Sequence, residues 1–301
     1  MRGISRIGVA ALAGMVSLLG VSAAQAIEAD GSTSLTQPAN TLIMPYDGTE
    51  GKASYMIVSN LAGESAAGPN ILTLWEWTNS EGVLEATVLA CLGLNATIVQ
   101  DAADVAAGSR GMVVVTAWET DGDCLEPVGL IDNAIVGTYT FADTNEQFSY
   151  GGDAVGVGLG ENGAPMLPNG YVGSIDVQTF NPQTLDDSTV AILSVAQGDS
   201  SLIESNSTSI TASLSFYNNA GEVSNFSDVS VRGATFASMK PGGGLISSEL
   251  GVSTSGFLRM QFSEGAIGGG SGSFIYGVHG QSVGQYGGSS NFKYTILGPL
   301  T

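Results

Sequence analysis

Short runs rich in β-branched and aromatic residues recur along this chain, each stopped within a few residues by a turn cluster. In the first half the runs are Ser54 to Ser59, Ile71 to Thr78, Thr87 to Cys91, Ala96 to Val99, Met112 to Trp118, Ala134 to Phe141 and Ala154 to Leu159. In the second they are Ser174 to Phe180, Thr189 to Val195, Ser209 to Tyr217, Val229 to Phe236, Gly256 to Phe262, Ser273 to Val278 and Phe292 to Leu297. Asp47-Gly48, Asn79-Ser-Glu-Gly82, Gly108-Ser-Arg-Gly111 and Asp121-Gly122 supply turns between them. Ala102 to Ala107 has room for one helical turn, and no stretch has the periodicity of a longer amphipathic helix. The pattern predicts an all-β fold, with two β-sandwich domains of Ig-like or jelly-roll-like kind.

The boundary falls in the Gly- and Pro-rich run from Gly158 to Gly170. Residues 27–165 are expected to form an N-terminal sandwich and residues 166–301 a Gly/Ser-rich β domain. Residues 1–26 have the form of a cleaved export signal. Arg2 and Arg6 precede an apolar run from Ile7 to Val21, and Ala24-Gln25-Ala26 offers the small-x-small cleavage site. The apolar core is shorter than the roughly 20 residues that span a bilayer as a helix, and no later stretch reaches that length. The expected location is therefore outside the cytoplasm: periplasmic, cell-surface or extracellular, with no transmembrane helix.

Charge narrows the partners. Without Arg2 and Arg6, six basic residues stand against 28 acidic ones, a net charge of −22. Such a field repels nucleic acid and anionic lipid head groups and attracts divalent cations or basic surfaces. Yet charged residues make up only 12% of the chain, about half the usual quarter, so much of the surface is uncharged.

The stretch from Ile71 to Cys124 holds all three tryptophans and both cysteines. In an oxidising compartment Cys91 and Cys124 form a disulfide. The closed loop of 33 steps stabilises by about 3.8 kcal/mol in the chain-entropy model. On a strand from Ile71 to Thr78, Trp75 and Trp77 share one face, and Leu72, Leu74 and Glu76 share the other. The tryptophans either pack in the core under the disulfide or form an exposed platform for sugar rings; the first is expected.

Three clusters invite a chemical reading. In Trp118-Glu-Thr-Asp-Gly-Asp123, an extended strand would align Glu119, Asp121 and Asp123, the carboxylate arrangement of a glycoside hydrolase. The same residues with Glu126 are candidate ligands for Ca2+, although no spacing matches a defined calcium loop. Gly158-Leu-Gly-Glu-Asn-Gly163 matches a dinucleotide-binding glycine pattern but runs into Pro165 and Pro168, where a helix would be needed. Gly280-Gln-Ser-Val-Gly284 matches a nucleophile elbow, but the only histidine, His279, precedes the serine. No catalytic residue and no cofactor is assigned.

Thr41-Leu-Ile-Met-Pro-Tyr46, Met56-Ile-Val-Ser-Asn60, Trp75-Glu-Trp-Thr78, Leu89-Ala-Cys-Leu-Gly-Leu-Asn-Ala-Thr97, Gly108-Ser-Arg-Gly-Met-Val-Val113 and Phe216-Tyr-Asn-Asn-Ala-Gly-Glu222 resemble a loose group of uncharacterised exported bacterial all-β proteins. The resemblance implies export and an all-β fold, and it adds no catalytic residue. The expected function is a secreted or cell-surface structural or binding protein, with self-association through sheet edges as one role. The alternative is carbohydrate binding or hydrolysis, using Glu119, Asp121 and Asp123 with Trp75 and Trp77.

Overall fold

The computed structural model describes residues 33–34, 38–62, 70–121, 124–143, 148–166, 174–180, 187–197, 202–205, 210–218, 220–238, 256–262, 273–283 and 286–296. Residues 1–26, where the export signal is expected, lie outside them. The fold is all-β, and every named ladder is antiparallel.

The N-terminal strands are β1 (Thr33–Ser34), β2 (Thr41–Asp47), β3 (Lys52–Asn60), β4 (Ile71–Asn79), β5 (Leu84–Leu92), β6 (Thr97–Asp101), β7 (Arg110–Thr120), β8 (Pro127–Leu130), β9 (Ile135–Asp143), β10 (Phe148–Asp153) and β11 (Val155–Val157). One sheet runs β1-β11-β2-β7-β4-β5, with β8 paired to the end of β7. A second runs β10-β9-β3-β6. The helical turn expected near Ala102 is α1 (Ala102–Val105), capped by the Asp101 carboxylate accepting from the Ala103 N–H.

The remaining strands are β12 (Ser174–Phe180), β13 (Asp187–Gln197), β14 (Ile203–Ser205), β15 (Ile210–Asn218), β16 (Val223–Val231), β17 (Ala234–Ser238), β18 (Gly256–Phe262), β19 (Ser273–Val283) and β20 (Tyr286–Ile296). They form a third sheet, β12-β18-β15-β16, and a fourth, β14-β13-β19-β20, with β17 also paired to β13. Among the described strands no ladder joins the first two sheets to the last two.

Both faces of the first sheet are covered at its centre. Register places Leu42, Trp75, Trp77, Val113 and Val115 on one face, and Ile43, Leu72, Met112 and Val114 on the other. The first face meets the second sheet, where a Cβ on Gly137 would press on Leu42. The other face meets the fourth sheet: Ala191, Leu193, Val195, Ile203 and Ala234 join the same apolar cluster, and the Arg110 guanidinium lies 5.3 Å from the centroid of the Phe236 ring. That double coverage explains why β2 and β7 read as near-continuous apolar runs rather than alternating ones.

The structure departs from the sequence expectation in several places: β1, β2, β8, β10 and β14 lie outside the expected runs. Strand β2 carries Pro45, a residue that argues against an interior strand, yet β2 lies between β11 and β7. Strand β11 pairs only with Thr41 to Ile43, so Pro45 sits where β2 has just one neighbour and its missing N–H costs no ladder bond. The expected strand from Val229 to Phe236 is broken into β16 and β17 at Arg232-Gly233, where Gly233 has φ +59°.

Candidate functional site

Strands β5 and β6 end the first and second sheets on the same flank of the N-terminal layers. Only residues 93–96 separate them, so the chain crosses from one sheet to the other in a single tight turn. Asn95 takes φ 59° there, a conformation asparagine tolerates better than most side chains. The turn is held by Asn60 at the end of β3. Its buried side-chain amide donates to the Leu92 and Gly93 carbonyls, both at 3.1 Å. Its Oδ1 accepts from the Ala62 N–H at 2.9 Å, and its backbone N–H donates to the Ala96 carbonyl at 2.9 Å. One residue of the second sheet therefore fixes the end of the first sheet's edge strand.

Deeper in, the Trp75 indole N–H donates to Thr73 Oγ1 at 2.9 Å, and the Thr73 hydroxyl donates to the Ala90 carbonyl of β5 at 3.0 Å. At the far end, Asn79 anchors the β4–β5 turn by accepting from the Glu81 and Val83 N–H groups and donating to Glu85 Oε1. Between these anchors β5 pairs with β4 alone among the described strands, as β6 pairs with β3 alone.

The flank is apolar where it meets solvent. Leu89 is 63% exposed, Val99 55% and Leu84 53%; Val83 and Leu94 in the adjoining turns are exposed too. From Leu84 to Asp101 the ionisable side chains are Glu85 and Asp101, and both are tied into turns. In a chain with 28 acidic residues this is a nearly neutral, apolar flank bounded by two open strand edges. Sequence reading identified both strands but not their edge positions. The signal that points to them is the drop in charge over residues 84–101 next to a four-residue turn.

The expected site residues fall elsewhere. Trp75 and Trp77 are both fully buried, with rings stacked at 6.4 Å, and Tyr46 meets Trp77 edge-on at 5.0 Å. Neither presents a face to a sugar ring, which corrects the platform reading: the inner face of the first sheet is sealed by the second. Cys91 and Cys124 are joined, with Cα atoms 5.7 Å apart, tying the exposed end of β5 to the turn after β7. Cys124 has φ 56°, and its N–H donates to Thr120 Oγ1 at 3.0 Å.

Strand β7 ends at Thr120, so the alternation that would align Glu119 with Asp121 stops before Asp121, which lies in a bend. Asp123 lies outside the described residues, and Glu126 stands just before β8. Among the described residues no group of three or more histidine, cysteine, aspartate or glutamate side chains is arranged to hold a metal ion. Residues 158–166 form a compact loop with a Leu159–Pro165 bridge, not the helix a pyrophosphate would need. Residues 280–283 continue β19, so no strand-to-helix elbow forms at Ser282.

No protein-family model matches the chain, and no curated protein matches it. Solved structures with a slight likeness to this chain include the following two. The PBSX exported protein XepA is 9% identical at a TM-score of 0.20, with 78% of this chain and 87% of that one covered. The viral chemokine binding protein R17 encoded by rodent gammaherpesvirus Peru is 12% identical at a TM-score of 0.18, with 85% of each chain covered. At such scores neither bears on fold or activity. No helix among the described residues is long and apolar enough to cross a membrane.

Two carboxyls are held above their usual range. Glu76, on the face of β4 turned toward the fourth sheet, is raised first by burial and then by the negative charge of Glu204 on β14. Asp153 at the end of β10 is raised by burial.

Proposed function

We propose that this is an exported structural or binding protein that associates through the flank formed by β5 and β6. The observation that carries this is the pairing of two open strand edges with exposed Leu84, Leu89 and Val99 on a flank almost free of charge. Open edges offer backbone N–H and C=O groups to a further strand, and apolar side chains there favour pairing over solvation. Monomeric soluble proteins usually blunt such an edge with lysine or an inward charge, and β5 has neither. A disulfide and the signal-like segment at residues 1–26 both support export to an oxidising compartment.

Sedimentation velocity on the secreted chain, over a range of concentration and salt, tests this. The native chain is expected to gain mass with concentration. Added salt should strengthen association, because screening weakens the repulsion between two strongly acidic bodies. Leu89→Lys and Val99→Lys should each lower the mass at a given concentration, since a lysine at an edge charges the surface that must be covered. A native chain that stays a single species throughout would overturn the reading.

A further inference from the structure

Resting on that reading, the β5 edge identifies the partner strand. We infer that β5 pairs antiparallel with β5 of a second copy of this chain, about a twofold axis at Val88, joining two first sheets into one continuous sheet.

The argument begins with the order of residues. Ala86, Val88 and Ala90 read the same in both directions about Val88 and share one face of the regular part of the strand. An antiparallel pair centred there puts Ala86 opposite Ala90 of the second copy and the two Val88 side chains opposite each other. A twofold interface must present one patch to itself, and a palindromic strand does this without mismatched sizes. Between those positions Thr87 faces Leu89 of the second copy. The two exposed leucines then lie within the roughly 7–8 Å diagonal reach of antiparallel neighbours.

Charge selects the same occupant. Self-pairing of a chain this acidic fails wherever carboxylates are opposed, and β5 has only Glu85. Glu85 falls at the end of the pairing, near Cys91 of the second copy and six residues along from the other Glu85, about 20 Å away at the rise of a strand. A basic partner, the general expectation for so acidic a surface, would find on this edge a single carboxylate already bonded to Asn79. The pairing also covers Ala86, Val88 and Ala90, half-buried side chains packed against the core on one side and open on the other.

The ladder of β5 with β4 is interrupted near Glu85, between the pairs Trp77–Ala86 and Thr78–Leu84. The regular part of the strand is therefore Ala86 to Leu92, and pairing is expected to be tightest over Ala86 to Ala90, the residues around the axis.

Site-directed crosslinking of the full secreted chain tests the register. In Val88→Cys the new thiols of two copies would be neighbours, and a short bismaleimide should trap a covalent dimer. In Leu84→Cys they would be eight residues apart, about 27 Å, and only background crosslinking is expected. Because Val88 is half-buried, an equimolar mixture of Thr87→Cys and Leu89→Cys chains, both at exposed positions, provides a second measurement and should crosslink one to the other. Equal crosslinking at positions 84 and 88, or none at 88 and none in the mixture, overturns the register. If crosslinking fails while sedimentation still shows association that Leu89→Lys weakens, the register alone falls. A chain that shows no association at all removes the flank reading with it.

Discussion

Asn60 donates its side-chain amide to the Leu92 carbonyl at 3.1 Å, linking the last residue of β3 in one sheet to the last residue of β5 in the other. This contact sets where the edge strand stops and where the chain crosses between layers. Asn60→Ala would leave the Leu92 and Gly93 carbonyls and the Ala62 N–H without this partner. A loss of about 3 kcal/mol is expected, from two or three neutral hydrogen bonds in a buried site. Urea unfolding measures it, with Asn60→Asp as a comparison that keeps the acceptor but loses the donor.

The two tryptophans should respond differently to substitution. Trp75 has its indole N–H bonded to Thr73, whereas buried Trp77 Nε1 has no hydrogen-bond partner among the described residues. Replacing each by phenylalanine removes similar volume, but only Trp75→Phe also breaks a bond. Trp77→Phe instead removes an unsatisfied donor. Trp75→Phe should be the more destabilising by about 1 kcal/mol, read as the difference in unfolding free energy.

Much of this was legible from residue order, for reasons that also explain what was not. Strands such as β4 and β7 announce themselves through Trp, Val and Thr runs, and the Cys91–Cys124 link follows from two cysteines in an export context. Burial of Trp75 and Trp77 was the expected alternative, since large aromatics near a disulfide tend to pack beneath it. Which strands lie at an edge is set by pairing between residues far apart in sequence. Thr87 to Cys91 and Ala96 to Val99 therefore looked like any other strands. Glu76 was likewise opaque: its neighbour Glu204 is on the fourth sheet, well over a hundred residues away.

Acidity should strengthen the fold. Glu76 and Asp153 have folded-state affinities for a proton above their unfolded values, so both favour the folded state when protonated. That stabilisation is complete below the unfolded carboxyl range and is lost as pH rises through the raised folded values. Melting temperature should therefore fall between mildly acidic and neutral pH. Glu76→Gln, neutral throughout, should melt higher than the native chain at neutral pH and show a shallower fall. An identical pH profile in native and variant chains would contradict this role for Glu76.

The disulfide holds the exposed end of β5 rather than the buried core. Replacing Cys91 and Cys124 together by alanine should cost up to about 3.8 kcal/mol, the chain-entropy value for this loop. It should also free the end of the edge strand. Association measured by sedimentation should weaken under conditions where circular dichroism still reports a folded β protein.

Hydrogen exchange of the native chain at rising protein concentration tests most directly whether β5 is the surface that pairs. Amides of β5 should exchange more slowly as concentration increases, while those of β16, an edge strand of the third sheet, stay unchanged. Slowing at β16 but not β5, or no slowing at either while the mass rises, would contradict it.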